Sequence, residues 1–187
     1  MGILRANAAH LYAVVLATTV GVSSAKGETM WVELTSYTQQ SGRALARIDD
    51  GAIPGKIEIR IEVSEPSDGR VSSFFLNFLD PRPVGFTAAA VDGDTVTKVE
   101  LDTKDLGHGE NVNPSPSDRP KGLFDLGVAF SGSGVVTFTI DNPGGVLNCF
   151  SFGPFAARLE KPNGGAAKLY GVPVLPAVHV GKAKKAG

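Results

Sequence analysis

The chain has little of what usually carries chemistry. Its single cysteine, Cys149, allows no internal disulfide, so the fold must rest on an apolar core. Cys149 lies in Leu-Asn-Cys-Phe-Ser-Phe (147–152), and its apolar neighbours predict a small buried residue rather than a reactive thiol. Three histidines are present, His10, His108 and His179, with neither a His-Glu-x-x-His motif nor paired-His spacing for zinc. No G-x-S-x-G elbow supplies a hydrolase nucleophile. Nothing marks two particular carboxylates among 19 acidic residues as a glycosidase pair. The expectation is a protein that is not an enzyme.

Charge excess is missing too. The 18 basic and 19 acidic residues are interspersed, and no basic stripe appears, which argues against a nucleic-acid partner. Long apolar runs are absent except Leu11–Val22, preceded by Arg5 and followed by Ser23-Ser24-Ala25. A positive start, a short apolar run and small residues before Lys26 make the layout of a secretory signal peptide over 1–25. The run is too short to span a bilayer, so no stable membrane span is expected after signal removal. Secretion, extracellular or periplasmic, follows as the expected location.

What the chain does have is many short β-type segments between turn residues. Glycine at 23 and proline at 12 are high for the length. Ile57, Ile59, Ile61 and Val63 alternate with Glu58, Arg60 and Glu62, the period of a strand with one face in water. Val71–Leu79 (VSSFFLNFL) is almost continuously apolar, as a strand buried on both faces would be. A hairpin across the turn at Glu65–Gly69 would join these two. Further strands are expected at Trp31–Tyr37, Phe86–Val91, Thr95–Leu101, Leu123–Phe130, Val135–Ile140, Phe155–Glu160 and Lys168–Gly171. Gln39–Gly55 reads mainly as a connection. Within Leu123–Phe130, alternation places Phe124, Leu126, Val128 and Phe130 inward and Asp125 outward.

No helical stripe and no internal repeat appear. About eight to ten short strands predict an all-β fold, a single antiparallel β-sandwich of jelly-roll-like type over residues 26–171. The alternative is an α+β domain in which Phe86–Ala90 or Leu147–Phe150 begins a short helix. Val172–Gly187 shows no amphipathic pattern and is expected to be a disordered tail.

Asp102–Lys121 is the longest irregular stretch, and loops of such length are usually functional or mobile. Asp102, Asp105, Glu110, Asn111 and Asn113 offer the hard oxygen ligands that calcium prefers, and Gly107 and Gly109 would let the backbone turn around an ion. The spacing is not that of an EF-hand. A polar loop of Asx turns explains the same residues without metal. Calcium is the only cofactor for which ligands stand out. The candidate partners are an extracellular protein or a glycan; for a carbohydrate-binding module, Trp31, Tyr37 and Tyr170 are the plausible stacking aromatics.

The order of pieces from Phe74 to Gly171 resembles a β domain of secreted bacterial proteins of the exosortase-sorted (PEP-CTERM and VPLPA-CTERM) and calcium-repeat-associated kinds. Phe74-Phe75, the run Lys104-Asp105-Leu106-Gly107-His108-Gly109-Glu110-Asn111-Val112-Asn113, and Phe124-Asp125-Leu126-Gly127-Val128 are similar to pieces found there in that order. So are Thr137-Phe138-Thr139-Ile140, Phe155-Ala156-Ala157-Arg158-Leu159 and Lys168-Leu169-Tyr170-Gly171. The resemblance implies a secreted or surface-displayed β domain without established catalytic residues. Val172–Ala177 resembles a sorting motif, but neither a membrane helix nor an arginine cluster follows it. Free secretion or periplasmic residence is therefore expected.

Overall fold

The computed structural model describes residues 27–174, apart from 52, 54, 80, 81, 92–95, 132, 133 and 144–146. The expected signal peptide and most of the expected tail lie outside these residues.

The fold is all-β. Ten strands run β1 (Thr29–Ser36), β2 (Arg43–Asp49), β3 (Lys56–Val63), β4 (Arg70–Phe78), β5 (Thr87–Ala90), β6 (Val96–Thr103), β7 (Phe124–Phe130), β8 (Val135–Asp141), β9 (Phe152–Glu160) and β10 (Ala166–Gly171). They form one antiparallel sheet in the order β5-β8-β3-β2-β1-β10-β9-β4-β7-β6. The sheet curls back on itself, nearly closing like a barrel. Its two halves therefore face each other as the leaves of a sandwich do. Phe74 and Phe130 of one leaf meet Phe138 of the other, at ring separations of 6.0 and 5.8 Å.

The alternation in β3 buries Ile57, Ile59 and Ile61 completely. Gln39–Gly55, expected as a connection, contains β2. Its inward residues are Ala44, Ala46 and Ile48, while Leu45 turns outward. Two alanines where larger β-formers are usual, with a leucine on the wrong face, hide the period. The expected hairpin between Ile57–Val63 and Val71–Leu79 does not form. β3 pairs with β2 and β8, and β4 with β7 and β9, so the two strands lie in opposite leaves. Among the described residues neither segment of the α+β alternative begins an α-helix: Phe86–Ala90 leads into β5, and Cys149–Ser151 is one 3-10 turn capped by Asn148.

β4 is buried on both faces, as its apolar run implies. One face joins the main core. The other, at Phe75, joins Ala129, Ala156 and Phe124 in a second apolar cluster, which Leu106 and Val112 of the long loop cover.

The leaves join at a narrow seam, where only Thr35–Tyr170 and Ser36–Leu169 are in register between β1 and β10. Gly171 sits at that seam. A Cβ there would lie inside van der Waals distance of the Glu33 carbonyl oxygen and the Leu34 side chain. Backbone cannot yield as a flexible side chain can. Gly171→Ala is expected to cost about 1–3 kcal/mol, read as a lower urea midpoint with an unchanged slope.

Candidate functional site

The loop between β6 and β7 is built, not slack. Its first part folds as a small turn: Asp105 and Asn111 form an antiparallel bridge, and Gly107, His108 and Gly109 all take positive φ, at 83°, 53° and 88°. Two glycines make that conformation cheap. Asp105 Oδ1 accepts the Gly107 N–H at 2.8 Å, and Asn111 Oδ1 accepts the Asn113 N–H at 3.2 Å, both Asx turns.

Cations on the strands beneath then hold the turn in place. The Lys168 ammonium donates to Asn111 Oδ1 at 2.9 Å and to the Asn113 carbonyl. Arg158 donates to Glu110 Oε1 at 3.1 Å, and also reaches Ser72 and Glu160. Lys98 donates to the Leu106 carbonyl at 2.8 Å, and the Tyr37 hydroxyl to the Val112 carbonyl at 2.8 Å. Burial, followed by the neighbouring Arg158 charge, lowers the pKa of Lys168. Burial raises those of Tyr37 and Tyr170.

These contacts bear on the calcium expectation. The Asp102 carboxylate pairs with Arg82 at 2.5 Å. Asp102, Asp105 and Glu110 do not bring ligand atoms within 4.8 Å of one another; among the described residues the one such trio is Glu28, Asp50 and Cys149. Glu110 is on Arg158, and Asn111 Oδ1 and the Asn113 carbonyl are on Lys168, so cations of the chain meet oxygens that the calcium expectation assigned to an ion.

The trio at the other site is occupied with local bonding. Asp50 accepts the backbone N–H groups of Glu28 and Cys149. Burial, then the charges of Asp50 and Glu28, push the Cys149 thiol up to about 12, so it stays protonated and inert at neutral pH.

The second part of the loop docks on a polar centre. Asp125 does not point outward: it is 9% exposed. The β4–β7 ladder ends at Leu76–Leu126, where β4 carries an irregularity against β9. Beyond that point side chains take over the backbone bonds. Asn77 Oδ1 accepts the Asp125 N–H at 3.0 Å, and Asp125 Oδ2 accepts the Phe78 N–H at 2.9 Å. Arg119 approaches the same carboxylate at 3.4 Å and donates to the Phe78 carbonyl at 2.6 Å, while Arg82 lies 3.7 Å away. Phe124, expected inward, packs beside Phe75 in the second cluster at 5.9 Å. An open groove of about 350 Å³ lies alongside, bordered by Asn77, Leu79, Asp118, Arg119 and Pro154.

Sequence reasoning missed Arg82, Arg119, Arg158 and Lys168. For Arg82 and Arg119 a signal existed in their partner: Asp125 interrupts an apolar run, and a polar group there must be partnered. Of the three candidate aromatics, Trp31 is 48% exposed with Arg47 6.0 Å from its ring centroid, whereas Tyr37 and Tyr170 are packed at the loop.

No protein family matches the chain, and no curated protein or solved structure matches it.

Two expectations follow. Asp125→Ala leaves the Phe78 N–H without its acceptor and removes the carboxylate that Arg119 and Arg82 approach, and should cost about 3 kcal/mol in urea unfolding. Hydrogen bonding from Arg70, helped by Arg158, holds the Glu160 carboxyl below its ordinary 4.5. Its stabilisation is then complete above that value and lost as pH falls through the lowered one. The urea midpoints of wild type and Glu160→Gln should differ at neutral pH and converge in strong acid.

Proposed function

We propose that this is a secreted, non-catalytic β domain for extracellular interaction or structural display, and that loop 104–122 with the adjoining groove is its contact surface. The observation behind this reading is the way the loop is held. Its apolar residues are taken up by Phe75 and Phe124, its polar groups by Arg158 and Lys168, and its own Arg119 by the Phe78 carbonyl, leaving a stiff outer surface of His108, Asp118, Pro120 and Lys121. A surface whose shape is set before contact loses little entropy on binding. The adjoining groove is open and has polar and apolar borders.

The 1–25 segment supports export, and the resemblance to exosortase-sorted secreted domains supports an extracellular role. Calcium is not needed to hold the loop in this reading, because the Lys168 ammonium bridges the oxygens an ion would need. A second reading, carbohydrate binding, draws on Trp31, which stands exposed on β1 beside a guanidinium.

Binding of the labelled protein to the surface of its producing cells and to a glycan array tests both. The expected result is binding weakened about tenfold or more by Lys121→Glu or Asp118→Lys, at unchanged melting temperature. Loss with Trp31→Ala alone would favour the glycan reading. Binding unaffected by the loop variants would reject the loop as contact surface. Millimolar Ca²⁺ should leave the melting temperature unchanged; a rise would return the ion to the loop.

A further inference from the structure

The sheet ends in two edge strands of different character. β5 is four residues of threonine and alanine. β6 is eight residues long, contains no proline, and among the described residues pairs only with β7. Its register is regular from Lys98 to Thr103, after one irregularity between Val96 and Lys98. Val99 and Leu101 stand opposite the buried Val128 and Leu126, on the core-side face of the sheet. They are nonetheless 40% and 48% exposed. On the opposite face Lys98 and Glu100 form an exposed pair at 2.7 Å, and Lys98 also donates to the Leu106 carbonyl. A regular edge strand with half-exposed aliphatics is a template for another strand.

We propose that β6 pairs with the β6 of a second copy of this chain, antiparallel across a two-fold axis at Val99. The charges select this register. With Val99 opposite Val99, Lys98 faces Glu100 of the second copy and Glu100 faces its Lys98. Sliding the axis by one residue puts Lys98 opposite Lys98 or Glu100 opposite Glu100, and directly opposed like charges are destabilising. Pairing between adjacent residues sets charge against aliphatic and turns the faces out of phase. Arg82 holds Asp102 at the end of the strand, outside this central pairing. The interface is isologous, so it closes at two copies. Lys98 also donates to the Leu106 carbonyl of the loop, whereas among the described residues Glu100 has no such bond, so Glu100→Lys tests the pairing without removing a loop anchor.

The test is sedimentation equilibrium of the purified protein with a charge exchange. Lys98→Glu and Glu100→Lys each create two like-charge pairs and should raise the dimer dissociation constant about tenfold or more. An equimolar mixture of the two variants should recover the dimer. The introduced carboxylate of one then meets the introduced ammonium of the other, and the unchanged Glu100 and Lys98 pair likewise. The double variant Lys98→Glu/Glu100→Lys restores both pairs with itself and should dimerise like the wild type, which keeps the test decisive if a single variant fails to fold. Val99→Cys should cross-link to itself under mild oxidation and Glu100→Cys should not, the buried Cys149 staying silent. A wild type that stays monomeric at high concentration, a dimer indifferent to the single charge reversals, or a mixture that does not recover would each overturn the proposal.

Discussion

An apolar strand with no polar face has to be covered twice. β4 and its neighbours β7 and β9 carry phenylalanine, alanine and leucine on both sides, and the opposite leaf can cover only one of them. The second side is closed by Leu106 and Val112, which ride on the long loop. Much of what is distinctive in this domain follows from that requirement. It brings an irregular segment down onto a sheet, and with it backbone and side-chain groups that can no longer all reach water.

The cations beneath the loop offset that cost. Lys98, Arg158 and Lys168 project from β6, β9 and β10 and donate to loop carbonyls, an amide and a carboxylate. At the far end Asp125 and Asn77 continue a backbone ladder with their side chains, and Arg119 ties the loop to the same point. Half-buried charge pairs of this kind add little net stability compared with apolar contacts, but they penalise misplacement heavily. They specify where the loop sits more than how firmly the domain folds. A contact surface benefits from that division: the core supplies stability, and the polar layer supplies shape.

How much could be read beforehand varied with how local the signal was. The alternation in Ile57–Val63 announced a strand because each residue's burial follows from its own side chain. β2 was hidden because alanine carries almost no such signal. The Glu65–Gly69 turn suggested a hairpin, yet the chain there crosses between leaves; a turn sets where the chain reverses, not which ladder it rejoins. The loop is legible as the longest irregular segment, but its acids read as ligands for calcium, with no local sign of the cations that meet them. The partners themselves, Arg82, Arg158 and Lys168, are distant in sequence from most of the groups they hold. Asp125 was assigned outward by strict alternation, and the end of the β4–β7 ladder broke that rule.

By itself, the sequence determined the class of fold. Short β-branched and aromatic runs between glycine, proline and asparagine turns leave a β protein as the direct way to bury the core of a chain that is 42% hydrophobic and has no helical stripe. It also determined that neither disulfides nor any recognisable catalytic motif organise the chain. Tertiary structure alone decided that the strands lie in one nearly closed sheet, that the long loop is a lid on a second apolar cluster, and that its acids meet internal cations. The reason is range. Burial and turn preferences act between neighbours and are written residue by residue, whereas strand order and ion pairing depend on groups that only folding brings together.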